Sequence, residues 1–189
     1  MIIRKVTRKD YQQILNIYNF YILNSTATFE ITPITFDNFS KRIDGISSIY
    51  PFFVYEENEE ILGYAYLSSF NEREAYEMSV DLSIYVKSDH KNRGIGRKLY
   101  LHIEDIAKKL GYYNIISLVA EENLNSIIFH EKMGFIKCGT IEKVAYKFFK
   151  WQGLVYYVKR INDKENYERI NKDYGIMDEW NITKTTKKS

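Results

Sequence analysis

The run Lys91-Asn92-Arg93-Gly94-Ile95-Gly96, with Arg97 and Lys98 behind it, places two glycines among four cations. Glycines remove side chains, so backbone N–H groups there can approach an anion closely. The run stands between an apolar stretch and an amphipathic helical pattern, and a helix N-terminus adds positive potential at the same place. It lacks the Gly-x-x-x-x-Gly-Lys-Ser/Thr spacing of a Walker loop. It also lacks the third glycine of a dinucleotide fingerprint. It reads as a receptor for a phosphate-bearing ligand, the alternative being a plain strand-to-helix turn on a basic surface. Asp81 is the second candidate. It sits within Val-Asp-Leu-Ser-Ile-Tyr-Val, and strand interiors are poor in Asp, so this acid needs a reason. A solvent-facing edge position is the bland one. The three histidines, His90, His102 and His130, and the lone Cys138 have no metal-ligand spacing, so no metal is expected. His90 reads as a loop residue and His102 as a helix-surface residue. Cys138 can form no intrachain disulfide and reads as a buried, inert thiol.

The elements that must position these residues follow from periodicity. Residues 2–6 read as a short strand. Thr7 offers an N-cap, with Asp10 where a capping box places an acid. Tyr11, Ile14, Leu15, Tyr18 and Ile22 then recur at helical spacing, which predicts a helix over 10–23. Thr35 caps a second helix whose apolar face is Phe36, Phe39, Ile43 and Ile46. Two strands around the polar turn 57–60 look like an antiparallel hairpin. A long strand is expected over 75–86 and a helix over 94–110, ended by Gly111. A buried strand follows over 113–120, then a short helix over 123–133 with Gly134 behind it. The last strands are expected at 135–140 and 146–160 with a loop between them. A strand-helix-strand unit around the helix 94–110 requires one parallel pair in an otherwise antiparallel sheet. The fold class is therefore α+β, a mixed sheet with helices on both faces.

The chain has 189 residues, enough for one domain with a real core. From residue 162 onward the composition turns polar, which divides a domain over 1–161 from a partly helical or flexible extension over 162–189. A net charge of +2 gives no whole-surface drive toward nucleic acid or an anionic membrane, and neither partner is expected. No apolar run approaches the roughly 18 residues of a membrane span. No signal peptide is visible and there is one cysteine, so a reducing, cytoplasmic setting is expected.

The run Ile84-Tyr-Val-Lys-Ser-Asp-His-Lys91-Asn-Arg-Gly94-Ile-Gly96 resembles motif A of the GNAT acyltransferase superfamily, whose loop reads Gln/Arg-x-x-Gly-x-Gly/Ala. Lys91 stands where Gln or Arg is usual. Asn123 to Phe135 resembles motif B, Asn-x-x-Ser/Ala-x-x-Phe/Leu-Tyr-x-x-x-Gly-Phe/Tyr, with His130 in the place of the Tyr. Within the superfamily the chain is similar to the phosphinothricin and methionine-sulfoximine N-acetyltransferases. Asn19 to Glu30, Arg73-Glu-Ala-Tyr76 and Lys147-Phe-Phe-Lys-Trp151 carry that likeness, which covers roughly residues 2–160. That family tends to read Lys-Phe/His-Gly-x-Trp-x-Asp near the last hairpin; here Phe149 replaces the Gly and Gly153 the Asp.

The resemblance implies the GNAT fold, with the central sheet splayed at its parallel pair, acetyl-CoA as co-substrate, a small amine as acceptor and a homodimer. It implies that the backbone of Ile84, Tyr85 and Val86 pairs with the pantetheine arm. Lys91, Asn92, Arg93, Gly94, Ile95, Gly96 and Arg97 would hold the pyrophosphate. Asn123 and Ser126 would hydrogen-bond the pantetheine region, although Asn123 also suits a plain N-cap. Asp81 becomes a general base for the amine, with a pKa raised by burial, one methylene shorter than the family's Glu. His130 becomes the general acid to the departing thiolate; its alternative is a half-buried helix histidine bonded to a backbone carbonyl. Phe29, Glu30, Arg73 and Tyr76 would recognise the acceptor, Arg73 by gripping a carboxylate. A protein N-terminus, a polyamine or an aminoglycoside remain alternative acceptors, and a non-catalytic acyl-CoA-binding module an alternative function.

Overall fold

Residues 1–163 are described by the computed structural model. The order along the chain is β1 (Ile2–Lys5), α1 (Tyr11–Asn24), α2 (Phe36–Ser47), β2 (Phe52–Glu57), β3 (Glu60–Ser69), β4 (Ser79–Val86), α3 (Ile95–Leu110), β5 (Asn114–Ala120), α4 (Leu124–Lys132), β6 (Ile136–Lys147) and β7 (Lys150–Arg160). The strands form one sheet in the order β1-β2-β3-β4-β5-β7-β6. Every neighbouring pair is antiparallel except β4 and β5. The helix between those two strands is what forces the parallel pair.

Alternation along the strands gives the sheet two cores. On one face α3 packs Ile95, Leu99, Ile103 and Ile106 against Val80, Leu82, Ile115 and Val119, and α4 adds Phe129 and Met133 at its margin. Truncating fully buried Ile103 to Ala should cost about 2–5 kcal/mol. On the other face α1 and α2 pack Ile14, Tyr18, Tyr21, Phe39 and Ile43 against Phe52, Val54 and Tyr64. One glycine is needed for close approach: a Cβ at Gly63 would lie 2.9 Å from the Tyr85 carbonyl and 3.3 Å from the side chains of Ile95 and Leu99. Its absence lets the first turn of α3 settle onto β3 beside β4. The capping signal is also realised: the Asp10 carboxylate accepts from the Thr7 N–H and hydroxyl at 2.8 Å each.

Five expectations need correction. The strand expected from residue 75 starts at Ser79, because Glu74–Tyr76 forms a 3-10 turn. Asn71 Oδ1 accepts from the Arg73 N–H there at 3.0 Å, a local turn that competes with the ladder. The last two strands are not parted by a loop over 141–145. β6 runs through to Lys147 with a register shift between Ile141 and Ala145, and reverses at Phe148-Phe149. β5 is not buried throughout, Leu118 being 42% exposed between buried Ser117 and Val119. Cys138 is exposed, since β6 is an edge strand. His102 is half-buried, its ring edge-on to Phe53 at 4.5 Å. Among the described residues no helix is long and apolar enough to cross a membrane. The boundary at 161 falls where Asn162 still donates to the Lys108 and Tyr112 carbonyls. Residues 164–189 of the expected extension lie outside the described residues.

Candidate active site

β4 and β5 pair only at Ser79 with Asn114, Val80 with Ile115 and Asp81 with Ile116. Beyond that point they diverge, while β4 stays paired to β3 as far as Val86 and β5 to β7 as far as Ala120. The wedge between them opens into a cavity of about 790 Å³. Leu82 to Val86 form one wall of it and Ser117 to Val119 the other. The inner edge of β4 past Asp81 therefore offers backbone groups that no strand of this sheet takes up. An extended ligand arm can add there as a strand does.

The cavity runs on to the loop before α3. Asn92 and Gly94 both adopt positive φ, 63° and 76°. Gly94 is the N-cap of α3 and gives it no side-chain cap, so the first-turn N–H groups stay open to an anion. Lys91, Asn92, Gly94, Ile95, Gly96 and Arg97 line the cavity. A Cβ at Gly96 would lie 3.6 Å from Val86 and 3.9 Å from Phe129, inside the channel between β4 and α4. Arg93 does not line it; its guanidinium reaches Glu57 at 2.9 Å. The Lys91 ammonium stands 5.1 Å over the Tyr21 ring, and the Tyr21 hydroxyl donates to the Val86 carbonyl at 2.6 Å. Asn123 caps α4, its side chain accepting from the Ser126 N–H at 3.3 Å, and both residues line the cavity. These groups fit a ligand with an extended polar arm and a pyrophosphate: open strand edge, uncapped helix end, basic loop.

Asp81 occupies the apex of the wedge. It is the last residue of β4 paired on both sides, opposite Ser68 of β3 and Ile116 of β5. It shares the α1/α2 face with Ser83 and Tyr85, while Leu82 points to the α3 face and begins the cavity wall. Its Oδ1 is buried and has no hydrogen-bond partner. Burial pushes its pKa up to about 7. Asp81 is half-buried, and a buried carboxylate oxygen without a partner is costly, so a structural role gives no account of it. It can accept a proton near neutral pH.

His130 also lines the cavity and is 8% exposed. Its Nδ1 lies 2.7 Å from the Ser126 carbonyl, a contact that only an N–H can make. Burial lowers its pKa, although the Ser126 carbonyl opposes this. The ring stacks on Tyr157 at 5.8 Å and meets Phe135 edge-on at 5.0 Å. The neutral ring so fixed carries its proton on Nδ1 and a lone pair on Nε2.

The four acceptor candidates come from two connections. Glu30, after α1, is ion-paired to Arg42 of α2 at 2.8 Å. Phe29 beside it is half-buried. Arg73 is exposed at the start of the 3-10 turn, and Tyr76 packs on Phe70 at 5.8 Å. Neither these residues nor Asp81 line the cavity itself. Sequence reasoning missed Tyr21, the segment Ser25 to Ala27, His90, the β5 wall and Phe148, all of which do. Only the topology brings them there, since each lies in a stretch with an ordinary amphipathic or turn pattern. Lys147 is the other omission: its buried Nζ ties Ser25 and Thr28 to the last hairpin.

Comparison with known proteins agrees with this geometry. Residues 3–155 match the family model described as an acetyltransferase (GNAT) domain. Phosphinothricin N-acetyltransferase of Streptomyces viridochromogenes is 29% identical over 149 residues, covering 79% of this chain and 81% of that protein. The L-methionine sulfoximine/L-methionine sulfone acetyltransferase of Salmonella typhimurium is 29% identical over 157 residues, 82% of this chain and 92% of its own length. Among solved structures, a GNAT superfamily phosphinothricin acetyltransferase from Sinorhizobium meliloti in complex with AcCoA superimposes with a TM-score of 0.85 at 27% identity, over 91% of this chain and 96% of that one.

Proposed function

The chain belongs to the GNAT acetyltransferase family, and we propose that it moves the acetyl group of acetyl-CoA to the primary amine of a small molecule. The acceptor class is an amino acid or close analogue, such as phosphinothricin or methionine sulfoximine or sulfone. One observation carries the reading: the open edge of β4 starts at Asp81, whose buried Oδ1 has no partner, where β4 and β5 part, and runs along one cavity wall to the loop before α3.

The two ends divide the work. The loop from Lys91 to Gly96 and the N-terminus of α3 hold the pyrophosphate. The open edge of β4 from Ser83 to Val86 aligns the pantetheine arm and carries the thioester toward Asp81. Asp81, ionised, takes a proton from the acceptor ammonium, directly or through one water, and frees the amine lone pair. The amine nitrogen bonds to the thioester carbonyl carbon while the C–S bond breaks. A β4 N–H steadies the carbonyl oxygen as charge develops on it. Holding both reactants at the wedge supplies the proximity term. The departing thiolate takes a proton from solvent. The sequence reading gives that step to His130, but a ring whose only proton is bound to the Ser126 carbonyl is a poor donor at Nε2. His130 instead fixes the wall of the cavity. Cys138 lies on an exposed edge strand, so transfer is direct and uses no acyl-enzyme.

We read the molecule as one domain over 1–161, cytoplasmic and homodimeric. The long edge strand β6, with Ile136, Ile141, Val144 and Tyr146 exposed, supports the dimer; a lone thiol suits a reducing compartment. The function is tested by incubating the protein with acetyl-CoA and a panel of amines and following free thiol. Amino acid analogues should release CoA; no release with any of them would refute the assignment.

A further inference from the structure

The last pair between β4 and β5 is Asp81 with Ile116, and Ser117 is the next residue of β5, so it begins the β5 wall of the wedge. Alternation along the strand puts its side chain on the face of Ile115 and Val119, which pack in the α3 core together with Leu82 of β4. Ser117 is 2% exposed and lines the cavity, and its Oγ has no hydrogen-bond partner. The polar groups beside it are engaged elsewhere. Tyr157, directly across the β5–β7 ladder, donates its hydroxyl to Glu131 at 3.2 Å. His130, stacked on Tyr157, commits its Nδ1–H to the Ser126 carbonyl and keeps only a lone pair on Nε2. A buried hydroxyl without a partner destabilises a fold, and an alanine would fill the same place without that cost. Packing therefore supplies no reason for a serine at the start of this wall.

The two faces of the sheet divide the reactants. α3 and α4, which carry the residues assigned to the CoA arm and pyrophosphate, pack on the face of Ser117, whereas Asp81 stands on the face of α1 and α2. Resting on the acetyltransferase reading, we infer that Ser117 is a catalytic residue whose hydroxyl donates a hydrogen bond to the thioester sulfur as that sulfur becomes a thiolate. The amine, freed by Asp81, bonds to the carbonyl carbon from one face, and the sulfur departs on the other. The electron pair of the C–S bond stays on sulfur. Ser117 keeps its own proton, and solvent supplies the one that completes the CoA thiol. A donor already in place when the charge appears needs no reorganisation to meet it.

A double comparison, with and without the sulfur and with and without the hydroxyl, tests this without turnover. CoA and desulfo-CoA are titrated calorimetrically into wild type and Ser117→Ala at a pH of about 9, above the ordinary thiol pKa. The ratio of CoA affinity to desulfo-CoA affinity should be about tenfold larger in wild type than in the variant, as a hydrogen bond to a charged sulfur requires. Desulfo-CoA should bind the two proteins within about twofold of each other. In turnover, Ser117→Ala should lower kcat roughly ten- to a hundredfold and leave the KM for acetyl-CoA within about twofold. The ligand-free variant should melt no lower than wild type, since it loses only an unpartnered hydroxyl. Failure of wild type to bind either ligand would sink the acetyltransferase reading and this inference together. The same affinity ratio in both proteins would overturn the inference alone. So would a variant that melts several degrees lower, because the hydroxyl would then be structural.

Discussion

The two halves of the proposed site are built by different means. The anion end is one continuous segment, from Val86 through Gly94 to the first turn of α3, and its donors are backbone groups. The acceptor candidates are instead side chains on separate elements, Glu30 after α1, Arg73 before β4 and Asp81 at the apex where β4 and β5 part, and none of them lines the cavity. A backbone site tolerates most side-chain changes and is sensitive to added bulk. A side-chain site is sensitive to each of its members and can be retuned one residue at a time. On the proposed reading, the common ligand meets the part of the molecule least open to substitution, and the variable one the part most open to it.

That contrast can be broken at several points. The largest effect belongs to the apex. Asp81→Asn should lower kcat by about 10²–10⁴ while acetyl-CoA affinity, measured by calorimetry, stays within twofold. The variant should also melt higher than wild type at pH 8. The sign follows from the raised pKa: the folded protein favours the neutral acid, so wild-type stability falls as pH rises from the ordinary carboxylate range through about 7, and Asn escapes that cost. Next comes bulk at the anion end. Gly96→Val should raise the KM for acetyl-CoA about tenfold or more, since overpacking between Val86 and Phe129 costs about 1–3 kcal/mol, and leave the acceptor KM unchanged. An equal rise in both constants would erase the division between the ends. Arg73→Ala should raise the KM for amino acid acceptors severalfold without touching acetyl-CoA; an unchanged acceptor KM would make Arg73 a solvated loop charge. The smallest effect is expected at His130→Asn, with kcat within about threefold at neutral pH. A hundredfold loss would return to His130 the role of acid.

What was legible in the sequence follows the same division. The fold and the parallel pair are written locally in hydrophobic period, and Gly94 and Gly96 mark the turn into α3; each appears where expected. Asp81 was visible as an acid out of place in an apolar strand. Its position at the point where β4 and β5 part depends on pairings that no local pattern records. The β6–β7 turn misled because two phenylalanines do not signal a hairpin. Polar residues such as Glu142 and Lys143 do suggest a loop, yet β6 absorbs them as a bulge with Lys143 at φ 50°. His130 reads the same in sequence whether it donates to a ligand or to its own helix; only the 2.7 Å contact with Ser126 separates the two.

The central claim is that Asp81 is the base. The dependence of kcat/KM on pH, measured with a saturating acceptor whose own amine titrates well above the range, tests it most directly. For wild type the account predicts a limb that rises through about pH 7 as Asp81 ionises, and no such limb in the residual activity of Asp81→Asn. The same limb at the same pH in the variant would show that another group takes the proton.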